Sequence, residues 1–189
     1  MTSLATPLSR NLVCHPRTPS RSIGAIKVQV VSATNGILAL TFVLQGNLAS
    51  LRIPAERPGR RMDELWRQTC FEAFLMAGDG PGYREYNFSP SGEWAAYAFS
   101  DYRQGDDQQA GVTTDESDPV LRVHRSSQRL ALEAEIPSEL PPLTRPIRVG
   151  LSAVVEAVNG DLSYWALRHP PGKPDFHHAD AFALQLDGS

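Results

Sequence analysis

The feature that most restricts the fold of this chain is a succession of short segments in which apolar and polar residues alternate. A side-chain period of two is that of a β-strand, and no apolar pattern of helical period persists over more than about three helical turns. Turn-forming residues separate these segments roughly every 8–12 residues, which is typical of antiparallel sandwiches and barrels. We therefore predict an all-β fold, an antiparallel β-sandwich of immunoglobulin-like or jelly-roll-like type.

Turn chemistry indicates how the predicted strands pair. The Asn-Gly dipeptide at 35–36 lies between the apolar segments 28–31 and 37–44, which is a strong hairpin signal. A second Asn-Gly turn, at 159–161, predicts another hairpin close to the C-terminus. Segment 48–53 is expected to add one more strand to the first hairpin. The simplest arrangement is therefore an antiparallel meander.

Segments 70–75 and 83–88 are predicted to be neighbouring strands in the middle of a sheet. Apolar side chains fall on both faces of 70–75, which is typical of a strand that is covered on both sides. On the second segment, Glu85 and Asn87 share one face because they are two positions apart. If the two strands pair, Glu72 becomes a near neighbour of Glu85 on that face.

Composition favours one folded domain preceded by an N-terminal arm. Of the 189 residues, 41% are hydrophobic and 21% are charged, close to the averages for globular domains. Residues 1–25 are rich in Ser, Thr, Pro and Arg and are expected to be irregular. Residues 26–187 are predicted to form a single β-sandwich domain.

Charge and cysteine content argue against several classes of partner and location. A net charge of −3 leaves no basic excess for a nucleic-acid partner. No apolar stretch is long enough to span a bilayer, and the N-terminus lacks the apolar core of a secretory signal. The two cysteines, Cys14 and Cys70, do not make a disulfide framework. We expect a cytoplasmic protein that uses neither nucleic acid nor membrane.

The first group of candidate site residues comprises Trp66, Glu72, Glu85 and Asn87. A carboxylate in the middle of a strand is costly unless it is hydrogen-bonded or faces a solvated groove. Carboxylates and an amide beside an aromatic ring are the composition of a sugar site, in which the ring stacks on a pyranose and the polar groups bind its hydroxyls. The alternative is that these side chains are solvated positions on an exposed sheet face.

The second group lies in the loop 168–180, which contributes Arg168, His169, Phe176 and His177. Three prolines stiffen this loop, and a rigid loop that carries histidine, aspartate and an aromatic ring favours function. We expect it to fold over the glutamate face and to form one wall of a pocket. Arg168 or a histidine would then offset the glutamate charges.

The same loop contains the sequence D-x-H-H-x-D at 175–180, which matches no standard zinc signature. We therefore predict no metal there. Instead, one histidine of the loop is expected to cap or hydrogen-bond it, and another to face the pocket. Trp94 and Trp165 are expected in the core because they lie within alternating strands. Trp66, at a boundary between loop and strand, is the tryptophan expected to be exposed.

Three blocks of the sequence resemble bacterial proteins with a DOMON-like domain: RMDELWRQTCFEAFL, YREYNFSPSGEWAAYAFSDYR and SYWALRHPPGKPDFHHADAF. The resemblance covers roughly residues 26–187. More widely, the chain is similar to carbohydrate-binding module family 9, and this likeness implies a β-sandwich with a sugar held between two aromatic rings. Carried onto this sequence, that family's pattern falls on Trp66, Glu72, Glu85, Asn87 and Phe176.

The function predicted from these observations is non-catalytic binding of a small ligand, a saccharide or a similar polyhydroxylated molecule. One alternative is a glycosidic hydrolase in which Glu72 and Glu85 act as acid and base. The other follows from the resemblance, since related DOMON domains bind haem b through Met and His. Met62 and His169 are the candidate ligands for haem, and no other cofactor is predicted.

Overall fold

The computed structural model describes residues 7–32, 37–78, 80–105, 118–137 and 146–186, and all structural statements concern these ranges. Short 3₁₀ turns lie at Leu48–Ser50, Leu65–Arg67 and Ala179–Ala181. No helix in the described ranges is long and apolar enough to cross a membrane. The strands are β1 (Leu8–Cys14), β2 (Ile23–Ser32), β3 (Ile37–Gly46), β4 (Cys70–Ala77), β5 (Tyr83–Phe88), β6 (Trp94–Asp101), β7 (Gln104–Gly105), β8 (Val120–Arg125), β9 (Arg129–Pro137), β10 (Ile147–Glu156), β11 (Leu162–Ala166) and β12 (Leu184–Leu186).

The paired strands are all antiparallel and follow the hydrogen-bonded order β7-β6-β5-β4-β10-β11-β1-β2-β3-β9-β8, with β12 added beside β10. Strand β1 connects two sheets. Its residues 8–12 pair with β2, and its residues 13–14 pair with β11. The first sheet therefore contains β2, β3, β9 and β8, and the second contains β11, β10, β12, β4, β5, β6 and β7. The predicted β-sandwich is confirmed.

The main core lies between the two sheets. On β9, the residues at every second position from Leu130 to Ile136 are buried, as the alternation of that segment requires. Phe42 on β3 and Phe71 on β4 face each other across the layers, with ring centroids 5.1 Å apart. Trp94 and Trp165 are buried in this core, as predicted.

A second apolar cluster lies on the outer face of the second sheet. It combines Phe74 and Tyr83 of β4 and β5 with Phe176 and Phe182 of the C-terminal segment. Strand β4 is therefore covered on both sides, as the apolar residues on both of its faces predicted. The loop 168–180 crosses this outer face, which is where the candidate site lies.

Both predicted hairpins pair as expected. Strand β2 pairs with β3, although the Asn-Gly dipeptide at 35–36 lies outside the described residues. Strand β10 pairs with β11 through the second turn, where Gly160 has a φ of 90°. This left-handed conformation suits glycine, which has no Cβ.

Two predictions from the sequence are wrong. Leu8–Cys14 form strand β1 rather than part of an irregular arm over 1–25. Only Leu12 of this strand is buried, so backbone pairing with β2 forms it without an apolar pattern. Segment 48–53 is not a strand, since Leu48–Ser50 form a 3₁₀ turn. In such a turn residues i and i+3 share one side, which places Leu48 and Leu51 together against the core.

Candidate ligand-binding site

A cavity of about 610 Å³ opens on the outer face of the second sheet. Its floor carries the side chains of Glu72 from β4 and Glu85 from β5. The C-terminal loop contributes Pro174 and His177 to its wall, and Arg103 lines it from beyond β6. Six aromatic rings also line the cavity: Trp66, Phe74, Tyr97, Phe99, Tyr164 and Phe176.

Glu72 lies at the centre of the outer face because of the register of three strands. It is opposite Asn87 on β5 and opposite Ser152 on β10. The Ser152 hydroxyl donates a hydrogen bond of 2.9 Å to Glu72 Oε2. Glu72 is only 3% exposed, so this carboxyl is held in the sheet and reaches solvent only through the cavity.

Glu85 lies diagonally across from Glu72 and has a different set of contacts. Asn87 Nδ2 donates a hydrogen bond of 2.7 Å to Glu85 Oε1. The second oxygen, Oε2, is 3.7 Å from His177 Nε2. Asn87 itself is fully buried and does not line the cavity. It therefore positions the glutamate from behind.

The two floor carboxyls have strongly raised pKa values. Burial and the charge of Glu85 raise the pKa of Glu72 to about 8. Burial also raises the pKa of Glu85 to about 7, although the hydrogen bond from Asn87 and the charge of Arg103 oppose the increase. The pair consequently retains at least one proton at neutral pH.

His177 is neutral in this environment. Burial and the nearby Arg103 guanidinium lower its pKa to about 4. Its Nδ1 lies 2.7 Å from Tyr83 Oη, which also accepts a hydrogen bond of 3.2 Å from the Arg103 backbone N–H. Because Nε2 faces the Glu85 carboxyl, we assign the proton of the neutral ring to Nε2, and Nδ1 then accepts a hydrogen bond from the Tyr83 hydroxyl.

The expectation that Arg168 or a histidine offsets the glutamate charges is corrected by these contacts. His177 is close enough but is uncharged, and Arg168 is exposed and does not line the cavity. The cation whose charge lowers the pKa of Glu85 is Arg103. Nothing in the polar segment around residue 103 distinguished this arginine in the sequence.

Asp175 fastens the loop 168–180 over the floor. It accepts a hydrogen bond of 2.6 Å from Tyr102 Oη and forms an ion pair of 2.9 Å with Arg103. It also accepts a hydrogen bond of 3.2 Å from the backbone N–H of His177. The predicted path of the loop over the glutamate face is thereby confirmed.

The two adjacent histidines of the loop divide their roles as predicted. His178 Nδ1 accepts a hydrogen bond of 3.2 Å from the Asp180 backbone N–H and so caps the 3₁₀ turn Ala179–Ala181. His177 instead lines the cavity. In the described ranges no three His, Cys, Asp or Glu side chains come together in a way that could hold a metal ion.

Trp66 lies at the rim, in the 3₁₀ turn that precedes β4, and is 46% exposed. The residues before it are held by β6, where Tyr97 Oη donates a hydrogen bond of 3.0 Å to Asp63. Phe176, on the loop, is 9% exposed and lines the same cavity. The structure therefore brings the two predicted aromatic residues to one cavity.

Three other predicted residues lie outside the cavity lining: Arg168, His169 and Met62. His169 Nε2 is 2.8 Å from the carbonyl oxygen of Val13, and its ring makes an edge contact with His15 at 4.8 Å. His169 thus fastens the start of the loop to β1. The residues proposed as haem ligands are accordingly not part of this cavity.

The lining residues that were not predicted from the sequence include Tyr97, Phe99, Arg103 and Tyr164. A signal existed for two of them, since Tyr97 pairs with Glu85 and Phe99 pairs with Tyr83 across β5 and β6. Extending the period of two from the glutamate strand onto β6 would have found both. Arg103 has a φ of 53°, a backbone conformation that the sequence does not indicate for arginine.

The fold of this chain, a β-sandwich, is similar to that of two solved structures. A protein from Bacteroides uniformis, provisionally described as carbohydrate-binding, matches with a TM-score of 0.64 and 12% identity over 92% of this chain and 83% of its own. A family 9 carbohydrate-binding module from Caldicellulosiruptor kristjanssonii, solved with cellotriose, matches with a TM-score of 0.54 and 10% identity over 82% of this chain and 69% of its own.

At such low identities the likeness establishes the fold alone. No family model and no curated protein sequence matches the chain. The predicted membership of the DOMON-like group therefore stays a prediction.

Proposed function

We propose that this protein is a non-catalytic domain that binds a saccharide in the cavity on its second sheet. The observation that carries the proposal is the pairing of aromatic walls with two buried carboxyls on one floor. Aromatic rings bind the apolar face of a sugar ring, and carboxyls bind its hydroxyl groups. The volume of about 610 Å³ falls within the usual range for small-molecule sites, about 300–1,000 Å³.

Each part of the cavity has a role in this proposal. Trp66 offers an exposed ring at the rim on which a sugar can stack. Glu72, Glu85 and the Nε2–H of His177 supply acceptors and a donor at the floor. Asn87 and Ser152 hold the two carboxyls in place, so the floor is organised before the ligand arrives. Both fold neighbours are described as carbohydrate-binding, which supports the same ligand class.

The test is calorimetric titration with a panel of monosaccharides and oligosaccharides that includes cellotriose. We expect dissociation constants on the order of micromolar to millimolar, which suit an open stacked site. Trp66→Ala should weaken binding about tenfold or more. Val120→Ala is the control, since Val120 is a similarly exposed residue on the other sheet. Absence of binding across the panel, or binding unaffected by Trp66→Ala, would refute the proposal.

A second candidate is hydrolysis of a glycosidic bond, favoured by the raised pKa values of the two floor carboxyls. A general acid in such enzymes needs a raised pKa, and its partner must lie on the same face. Prolonged incubation of cellotriose with the protein, followed by chromatography, separates the two candidates. Shortened products that disappear with Glu72→Gln would support hydrolysis, whereas intact cellotriose would exclude hydrolysis of this substrate.

A further inference from the structure

We infer that the cavity prefers a saccharide that carries a protonated amino group over the same saccharide without one. This inference rests on the proposed saccharide binding and specifies the ligand class for that site. It follows from which charges around the cavity have opposite partners and which do not.

The charged groups at the sides of the cavity are already paired. Asp63, Glu64 and Arg103 line it, and each has an opposite charge beside it. The pairs are Arg61–Asp63 at 3.5 Å, Arg67–Glu64 at 2.7 Å and Arg103–Asp175 at 2.9 Å. These pairs leave the sides of the cavity close to neutral.

The two floor carboxyls have no such partner. Among the described residues, the only ion-pair contact of either one is between His177 Nε2 and Glu85 Oε2 at 3.7 Å. That histidine is neutral at physiological pH because burial depresses its pKa. Two buried acid groups therefore face the cavity without a cation in contact. Bound protons neutralise part of this charge at neutral pH and most of it at pH 6.

An ammonium group complements this floor better than a hydroxyl does. It carries a full positive charge and donates three hydrogen bonds, whereas ionised carboxylates only accept them. The six aromatic rings that line the cavity add a favourable environment, since a cation is attracted to the face of an aromatic ring. Acetylation of the amino group would remove both the charge and this advantage.

At pH 6, below both raised pKa values, the two floor carboxyls are largely protonated, so binding of the ammonium should release protons from the floor. An opposite charge within about 4–6 Å favours the ionised carboxylates, so the pKa values of Glu72 and Glu85 would fall. The following groups around the pair should keep their protonation state at pH 6, so they do not contribute to the measured proton release. His177 is already neutral, and Arg103 and Asp175 remain charged. Four further titratable groups near the pair have raised pKa values and stay protonated: Cys70, Tyr83, Tyr97 and Tyr164.

The experiment compares three trisaccharides with the same β-1,4 linkage: cellotriose, the glucosamine trisaccharide and the N-acetylglucosamine trisaccharide. Each is titrated by calorimetry at pH 6 and low salt, in two buffers with different heats of ionisation. We expect the glucosamine trisaccharide to bind about tenfold more tightly than the other two, with release of protons to the buffer. Raising the salt concentration should reduce this advantage.

Single substitutions then assign the preference to the floor. Glu72→Gln and Glu85→Gln keep the shape of each side chain and should each reduce the affinity ratio between the glucosamine trisaccharide and cellotriose several-fold. Glu135→Gln is the matched control, because Glu135 is on the other sheet and pairs with Arg122. Thermal unfolding verifies that each variant is folded.

The outcomes separate this inference from the proposed function. If cellotriose binds and the glucosamine trisaccharide binds no better, the preference is refuted and saccharide binding stands. An affinity ratio that neither floor variant changes also refutes the preference. If none of the three trisaccharides, nor any other sugar of the panel, binds, the inference and the proposed function fail together.

Discussion

The buried pair Glu72 and Glu85 is expected to make the protein less stable as the pH rises from 6.5 to 8.5. In the folded state these groups titrate near 8 and near 7, whereas in an unfolded chain a glutamate titrates near 4.3. Within this window the folded state therefore holds protons that the unfolded state has already lost. Because stability falls with pH wherever the folded state binds more protons, their contribution is lost as the pH passes through the folded pKa values.

Integrated over the window, the loss from the two groups is roughly 2–3 kcal/mol in the free energy of unfolding. The limits of the window keep the contributions of two other groups small. Below pH 6.5 the lowered pKa of His177 has the opposite effect, because the unfolded histidine takes up a proton that the folded one does not. At higher pH, the raised pKa of the buried Cys70 thiol would add a further loss.

The assay is urea denaturation at pH 6.5, 7.5 and 8.5, followed by tryptophan fluorescence, for the native chain and the double variant Glu72→Gln/Glu85→Gln. The native chain should lose about 2–3 kcal/mol more than the double variant between the two end points. Glu135→Gln should behave like the native chain. Stability curves of the native chain and the double variant that run parallel would refute the assignment of a buried, protonated pair.

Two further predictions concern the structure around the site and the first sheet. Tyr83→Phe removes the hydroxyl that contacts His177 Nδ1 and the Arg103 N–H, and should cost about 1–2 kcal/mol in urea denaturation; an unchanged midpoint would contradict that role. Gly46→Ala should cost about 1–3 kcal/mol in thermal or urea unfolding, because a Cβ there would meet the Ser22 carbonyl oxygen and lie 2.9 Å from Ile23 Cα. Gly24→Ala is its control, since its Cβ would meet only Gln45 O, at 3.7 Å, and equal losses would contradict the steric explanation.

The arrangement of the floor could be predicted from the sequence because strand geometry is regular. A period of two places Glu85 and Asn87 on one face, and antiparallel pairing through a short connection brings Glu72 beside them. In the structure Glu72 lies directly opposite Asn87, which agrees with the prediction that it is a near neighbour of Glu85 on that face. Turn residues and the alternation of apolar and polar side chains were together sufficient to predict the pairing of β4 with β5.

The N-terminal strand could not be predicted because its stability comes from its neighbours. Leu8–Cys14 has three consecutive polar residues and a single buried residue, Leu12, and it gains its structure by pairing with β2 and β11. The sequence of such a strand contains no alternation that would distinguish it from a loop. Its position between the two sheets depends on contacts with β2 and β11 that form only in the folded chain.

The sequence predicted which segment forms the wall of the cavity, but it identified only some of the residues in that segment that line the cavity. The prolines and histidines of 168–180 indicated a rigid loop, and the structure directs Phe176 and His177 inward. Arg168 is exposed and His169 contacts the Val13 carbonyl of β1, whereas Tyr102 and Arg103 fasten the loop at Asp175. Those fasteners lie about 70 residues earlier in the chain, so spacing within the loop could not indicate them.

The central claim, that a saccharide occupies the cavity beside Trp66, is tested most directly by the indole N–H signals of the three tryptophans in ¹⁵N-labelled protein. Trp94 and Trp165 are 4% and 6% exposed in the core, whereas Trp66 is 46% exposed and lines the cavity. Trp66→Phe assigns the signal of the exposed indole. During titration with the tightest-binding trisaccharide, that signal should shift with saturation while the other two stay unchanged. A saturable shift confined to Trp94 or Trp165, or no shift at saturating ligand, would contradict the claim.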